Sequence, residues 1–139
     1  MSWKKYTDDY ALFLEAGYIA VNQADEDSAL KLFKAAELCQ PDNTLPKVGF
    51  GYLHLHKLEL KHAVRVFEEV LAKEPANDMA KTLLGICISM MPDGAEKGES
   101  ILKQTRKSNN EEISQLSTTA IDFVERFVKR KPGPAGKNK

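Results

Sequence analysis

The histidines and cysteines, which could bind a metal ion or act as nucleophiles, are few. The chain has three histidines, His54, His56 and His62, and two cysteines, Cys39 and Cys87. Residues two apart on a helix point about 200° apart, so His54 and His56 cannot share a metal ion as an i, i+4 pair could. The cysteines form neither a C-x-x-C pair nor a Cys/His zinc spacing, and we expect both to be reduced. The sequence therefore predicts no metal site.

No other motif of the chain is typical of an enzyme. It contains neither a nucleophile elbow nor a glycine loop that could hold a phosphate. We expect a protein that is not an enzyme, with no catalytic residue and no cofactor. The 139 residues include 20 Lys and Arg and 20 Asp and Glu, and this balance argues against a nucleic-acid or membrane-surface partner. The longest apolar run, from Leu83 to Met91, is too short to cross a bilayer.

The elements that could form a binding surface repeat with a period of 34 residues. Glycines recur with this step at Gly17, Gly51 and Gly85. Three further pairs keep the same step, namely Ala29 and Ala63, Phe33 and Phe67, and Pro41 and Pro75. Such a period indicates stacked helix-turn-helix units, each of which needs its neighbours to bury its apolar face. The glycines are expected where the second helix of a unit approaches the first most closely.

Apolar spacing and breaker residues predict an all-α fold of seven helices. The first helices of the three units are predicted over about 9–22, 45–57 and 78–91, and the second helices of the first two units stop before Pro41 and Pro75. In the third unit the turn at residues 92–94 precedes a second helix, and a one-residue shift is needed to align it with the others. The sequence Ser108 to Glu111 is typical of a capping box opening the last helix. The packing stripe predicted for that helix is Ile113, Leu116, Ala120, Phe123 and Phe127.

These elements give one predicted domain organisation. Residues 1–9 form a short lead-in, with Thr7 or Asp8 capping the first helix. Three repeats follow at 10–43, 44–77 and 78–107. A capping helix at 108–131 covers the open end of the array, and residues 132–139 form a disordered basic tail.

The glycine, alanine, phenylalanine and proline pattern resembles the tetratricopeptide repeat (TPR), although Lys47, Lys81 and His54 depart from its consensus. The resemblance implies an α-solenoid whose first helices line a concave groove. Ten predicted groove residues form the candidate partner-binding site: Leu14, Tyr18, Val21, Leu45, Val48, Tyr52, Leu55, Met79, Ile86 and Met90. Ala11 and Thr82 occupy the remaining groove positions. Tyr18 and Tyr52 are one repeat apart and should stand side by side. The alternatives are that some of these side chains form ordinary core, or that the last helix covers the groove.

The apolar character of the predicted groove narrows the partner. The Lys, Arg and Asn clamp with which many TPR proteins hold the C-terminal tails of chaperones is absent, because Leu14, Tyr18, Val48 and Tyr52 occupy its places. The chain is instead similar in size, groove and layout to the cytosolic TPR chaperones of bacterial type III secretion. Its early first repeat favours the needle-subunit branch over the translocator branch, whose members usually carry a longer N-terminal segment.

This resemblance implies a cytoplasmic bacterial chaperone. It would hold an amphipathic segment of a secreted needle subunit or translocator and so prevent premature assembly. A small co-chaperone and a homodimer stay open as partners, and no nucleic acid or membrane insertion is expected. The competing class is a TPR adaptor that joins two folded proteins. A chaperone's client should aggregate or polymerise without it, whereas an adaptor's partner should stay soluble.

Overall fold

The computed structural model describes residues 9–129, and within this range the chain forms seven α-helices, a short π-helical segment and no strand. The all-α prediction is confirmed for this range. The predicted lead-in caps Thr7 and Asp8 and the predicted tail at 132–139 lie outside it. The helices are α1 Tyr10–Asn22, α2 Glu26–Cys39, α3 Leu45–His56, α4 Leu60–Lys73, α5 Asp78–Ser89, α6 Ala95–Thr105 and α7 Glu111–Phe123, followed by the π-helical segment Val124–Val128.

The chain divides into two compact units, Met1–Ala80 and Lys81–Lys139, with the boundary inside α5. In the first unit α1 packs on α2 and α3 packs on α4, while α3 also contacts both α1 and α2. In the second unit α6 packs on α7, and the π-helical segment contacts both of these helices.

The backbone repeats the period that the side chains predict. Ala24 and Leu58 end the turns after α1 and α3 with φ of 59°, in the left-handed region that non-glycine residues seldom adopt. Leu58 follows Ala24 by 34 residues. The next such residue, Asp93, has φ of 58° and follows Leu58 by 35. The extra residue lies where the sequence needs its one-residue shift, which supports that alignment of the third helix pair.

Aromatic rings fill the space beside the repeat glycines of the first unit. A Cβ added to Gly17 would lie 2.5 Å from the ring of Phe33, and one added to Gly49 would lie equally close to the same ring. The ring of Phe67 has this relation to Gly51. Both phenylalanines are fully buried. The predicted reason for the glycines, close approach of the second helix, is therefore confirmed at Gly17 and Gly51.

The last helix differs from its prediction in two respects. Asn110, not Ser108, caps α7, because its side-chain oxygen accepts hydrogen bonds from the backbone N–H groups of Glu112 and Ile113. The predicted packing stripe is also wrong in its second half, since Phe123 is 44% exposed and Phe127 is 69% exposed. The residues of this stretch that are buried are Ile113, Ser117, Ile121 and Val124.

Candidate protein-binding surface

Two tyrosines from neighbouring helices form the centre of the candidate surface. The ring centroids of Tyr18 on α1 and Tyr52 on α3 are 5.3 Å apart, as the repeat register predicts. The ring of Tyr18 also meets Phe33 edge-on at 5.2 Å. The rings are held in place from below by a core cluster made of Ala20, Val21, Ala29, Phe33 and Leu53, against which Leu14 packs as well. Edge-on contacts between aromatic rings stabilise such an arrangement by about 0.5–1.5 kcal/mol per pair.

Polar groups follow each tyrosine by one helical turn. The hydroxyl of Tyr52 donates a hydrogen bond to Oδ1 of Asn22 at 2.7 Å, which joins α3 to the end of α1. The ring of His56 meets the ring of Tyr52 edge-on at 4.6 Å. Asn22 and His56 are themselves 34 residues apart. We refer to Leu14, Tyr18 and Tyr52, together with Asn22 and His56, as the tyrosine face.

Both tyrosines of this face stay uncharged at neutral pH. Burial raises the pKa of Tyr18 far above its ordinary value, and the nearby hydroxyls of Tyr10 and Tyr52 raise it further. Burial also raises the pKa of Tyr52, against the opposing effect of its hydrogen bond with Asn22. The face therefore offers apolar rings whose hydroxyl groups act as neutral hydrogen-bonding groups.

The other predicted groove residues of the first unit fall into two groups. Leu45 is exposed, and Leu55 and Met79 are partly exposed. Val21 and Val48, in contrast, are buried, and these two assignments to the groove are corrected. Val21 belongs to the core cluster beneath the tyrosines. Val48 directly precedes Gly49, where the ring of Phe33 contacts α3, so this part of α3 is enclosed.

The remaining predicted residues lie on α5 in the second unit. Ile86 is partly exposed and packs against the cluster formed by Leu102, Ile121 and Val124. Met90 is also partly exposed. In repeat register Met90 corresponds to Asn22 and His56, not to Val21 and Leu55. The sequence reasoning missed Asn22 and His56 because it stopped one position short in the first two repeats. Their spacing of 34 was the available signal.

The histidines outside this face show a contact that sequence spacing did not predict. His62 on α4 stacks on His54 at a centroid distance of 5.4 Å. Nδ1 of His54 lies 2.8 Å from a carboxylate oxygen of Glu59. Among residues 9–129, no group of three or more His, Cys, Asp or Glu side chains has an arrangement that could hold a metal ion. Both cysteines are free thiols.

No helix within residues 9–129 combines the length and apolar character needed to cross a membrane. Two surface cavities of about 720 Å³ lie in the second unit, one beside Phe127 and one beside Val128, and neither is lined by the tyrosine face. The tyrosine face is thus an open surface patch and not the wall of either cavity.

Comparison with protein-family models, with curated proteins and with solved structures gives no match for this chain. The functional assignment therefore depends on the physical character of the surface and on the repeat pattern.

Proposed function

We propose that this protein is a TPR-type α-solenoid that binds an apolar or amphipathic helix of another protein on its tyrosine face. The observation that carries the proposal is the contact between Tyr18 and Tyr52, two partly exposed rings at equivalent positions of successive repeats. Tyrosine rings supply large apolar contact areas with little loss of side-chain entropy, and they are enriched at the centres of protein interfaces. Asn22 and His56 add polar groups at the edge of these rings.

The TPR assignment within this proposal is supported by repeated local geometry. Asn43 and Asn77, one period apart, each accept a hydrogen bond from a backbone N–H at the start of the next helix, at 3.0 Å in both cases. The left-handed turn residues Ala24 and Leu58 and the rings that pack over Gly17 and Gly51 keep the same period. A chance arrangement of helices would not keep these asparagines, the turn residues and the ring packing in one register.

The biological role that we propose is a cytoplasmic chaperone for a secreted client, of the kind found in type III secretion. Its mechanism is protection by occupancy. A client that polymerises through an amphipathic helix cannot assemble while the apolar face of that helix lies against the tyrosine face. No metal, cofactor or catalytic residue is needed for this activity, because binding alone blocks assembly.

The proposal is tested by purifying the protein from its native cells and identifying by mass spectrometry what co-elutes in stoichiometric amounts. We expect a small helical protein that aggregates or polymerises once it is separated from this chain. A partner that stays folded and monomeric after separation would overturn the chaperone role and favour the adaptor. If no other protein co-elutes in stoichiometric amounts under any condition, both the chaperone role and the adaptor role are contradicted.

A further inference from the structure

The second unit contains a buried carboxylate that neither the repeat pattern nor the tyrosine face requires. Glu99 on α6 is only 4% exposed. Its Oε1 accepts a hydrogen bond from Nζ of Lys129 at 2.7 Å. Its Oε2 is buried and lacks a hydrogen-bond partner among the described residues. A buried carboxylate without a counter-charge is costly, so this position depends strongly on Lys129.

Lys129 reaches this carboxylate because the chain leaves α-helical geometry just before it. Residues Val124–Val128 form a π-helical turn, and the N–H of Lys129 donates to the carbonyl of Val124 at 2.8 Å. Such wide turns are rare and recur at functional positions. In this turn Val124 is buried and Val128 packs on the same core cluster, which also includes Leu102 and Ile121. The segment therefore covers apolar surface of α6 and α7, and Lys129 fixes its end.

We propose that Val124–Lys129 is a releasable strap, closed by the ion pair between Lys129 and Glu99, whose opening uncovers the apolar surface around Leu102 while α6 and α7 stay folded. The strap is a single short segment held by two valines, by the ion pair of Lys129 with Glu99 and by the exposed ion pair of Arg126 with Asp122 on α7. Glu99 is buried while the side chain of Lys129 is 32% exposed, and loss of Lys129 would leave the carboxylate with only the more distant Lys103 as a counter-charge, which disfavours the closed state. This inference is independent of the proposed function of the tyrosine face.

The charges around Glu99 favour the closed state at neutral pH. The pKa of Glu99 lies below its ordinary value, chiefly because Lys129 donates to it; burial opposes this effect, while the side chain of Glu125 and the nearby Lys103 on α6, at 3.6 Å, lower the pKa further. The pKa of Lys129 is raised, chiefly by Glu99, with Glu125 and Glu96 adding to the effect. The pair thus contributes fully between the ordinary glutamate and lysine pKa values. Its contribution is lost as the pH falls through the lowered pKa of Glu99 or rises through the raised pKa of Lys129.

Hydrogen exchange on the full chain at pH 7, read by mass spectrometry, tests the strap. In Lys129→Gln we expect the amides of residues 124–129 to exchange at least about ten-fold faster than in the wild type, because the buried carboxylate loses its partner. Exchange in α6 and α7 should stay unchanged. Lys129→Arg should retain most of the protection, and the double variant Glu99→Gln/Lys129→Gln should recover part of it, since no charge is then left buried.

Lys103→Gln is the matched control, because Lys103 is the more distant partner and its side chain is largely exposed. It should leave the protection of residues 124–129 within about two-fold of the wild type. Two outcomes would overturn the proposal. One is unchanged exchange of residues 124–129 in Lys129→Gln. The other is an equal loss of protection throughout α6 and α7, which would show a general support and not a strap that opens alone.

Discussion

The two units pack the helices beside their repeat glycines in different ways. In the first unit an aromatic ring lies over the glycine, with Phe33 against Gly17 and Phe67 against Gly51. In the second unit the equivalent side chain is Leu102, and a Cβ added to Gly85 would meet it at 3.1 Å instead of 2.5 Å. The close contact has moved to Gly98, where an added Cβ would lie 2.6 Å from the carbonyl oxygen of Gly85. Helix pairs with the same repeat period can thus pack in two ways, either with an aromatic ring beside the glycine or with the two helix backbones in close contact.

This difference explains why the first unit offers an aromatic surface. Phe33 contacts Tyr18 on one side and Phe50 on another, so the wedge and the tyrosine face form one connected set of rings. In the second unit the core is aliphatic, and the aromatic side chains Phe123 and Phe127 are exposed instead of packed.

The largest effect on stability is expected from removing the Phe33 ring, the aromatic wedge of the first unit. Phe33→Ala should lower the free energy of unfolding by about 3–5 kcal/mol, because a fully buried ring that contacts two helices is lost and leaves a cavity. Chemical denaturation followed by circular dichroism measures this change. Leu38→Ala on α2, where the side chain is 62% exposed, is the control and should change stability by less than about 0.5 kcal/mol. Equal effects of the two substitutions would contradict the wedge.

Substitution of the glycines should have a smaller effect on stability, and it distinguishes the two kinds of packing. Gly51→Ala and Gly98→Ala should each cost about 1–3 kcal/mol, since both introduce a Cβ where no space exists. Only the first should be rescued by trimming a side chain. Phe67→Leu should recover part of the loss in Gly51→Ala, because it recreates the looser pairing of Gly85 with Leu102.

The second glycine provides the contrast. Ser89→Gly removes one of the three close atoms near Gly98 but leaves the carbonyl oxygen of Gly85 and the backbone nitrogen of Ser89. It should therefore not rescue Gly98→Ala. A rescue there, or none at Gly51, would show that the two units do not differ in the way described. Double-mutant cycles on unfolding free energies give the answer.

The smallest effect concerns the cap of α7. Asn110→Ala should cost about 1 kcal/mol, because two backbone N–H groups lose their acceptor. Ser108→Ala removes only a hydroxyl that accepts a bond from the N–H of Asn110, and should cost a few tenths of that. If Ser108→Ala lowered the melting temperature more than Asn110→Ala, the capping box predicted from the sequence would be supported instead.

The sequence predicted the helix positions and the turn at residues 92–94 from apolar spacing and breaker residues. The one-residue shift and the pairing of Tyr18 with Tyr52 follow from the repeat register. What the sequence missed depends on competition between neighbouring residues. The cap was misplaced because Asn110 and Ser108 are both good caps, and only the backbone path decides between them. The stripe failed at Phe123 because the buried face of the helix runs through Ile121 and Val124, and beyond Val124 the π-helical turn brings Val128 inward instead of Phe127.

The sequence predicted the pair of tyrosines at the candidate surface but not which of the neighbouring residues are buried. A repeat template assigns Val21 and Val48 to the surface from their positions alone. It cannot account for the volume of the Phe33 ring, which packs against both α1 and α3 and so leaves the residues beside it buried. Asn22 and His56 were missed because the predicted groove stopped one position short of these last residues of α1 and α3. The repeat register predicts which residues are neighbours, and the volume of the Phe33 ring determines which of them are exposed to solvent.

The proposed binding of a partner helix on the tyrosine face is tested by measuring the affinity of the co-purified partner for charge variants. Tyr52→Glu should weaken binding at least about 30-fold, because a charge would be buried against an apolar helix. Leu38→Glu, which adds the same charge to α2 outside this face, should bind like the wild type, and circular dichroism should verify the fold of both variants. Unchanged affinity in correctly folded Tyr52→Glu would show that the partner does not bind on this face.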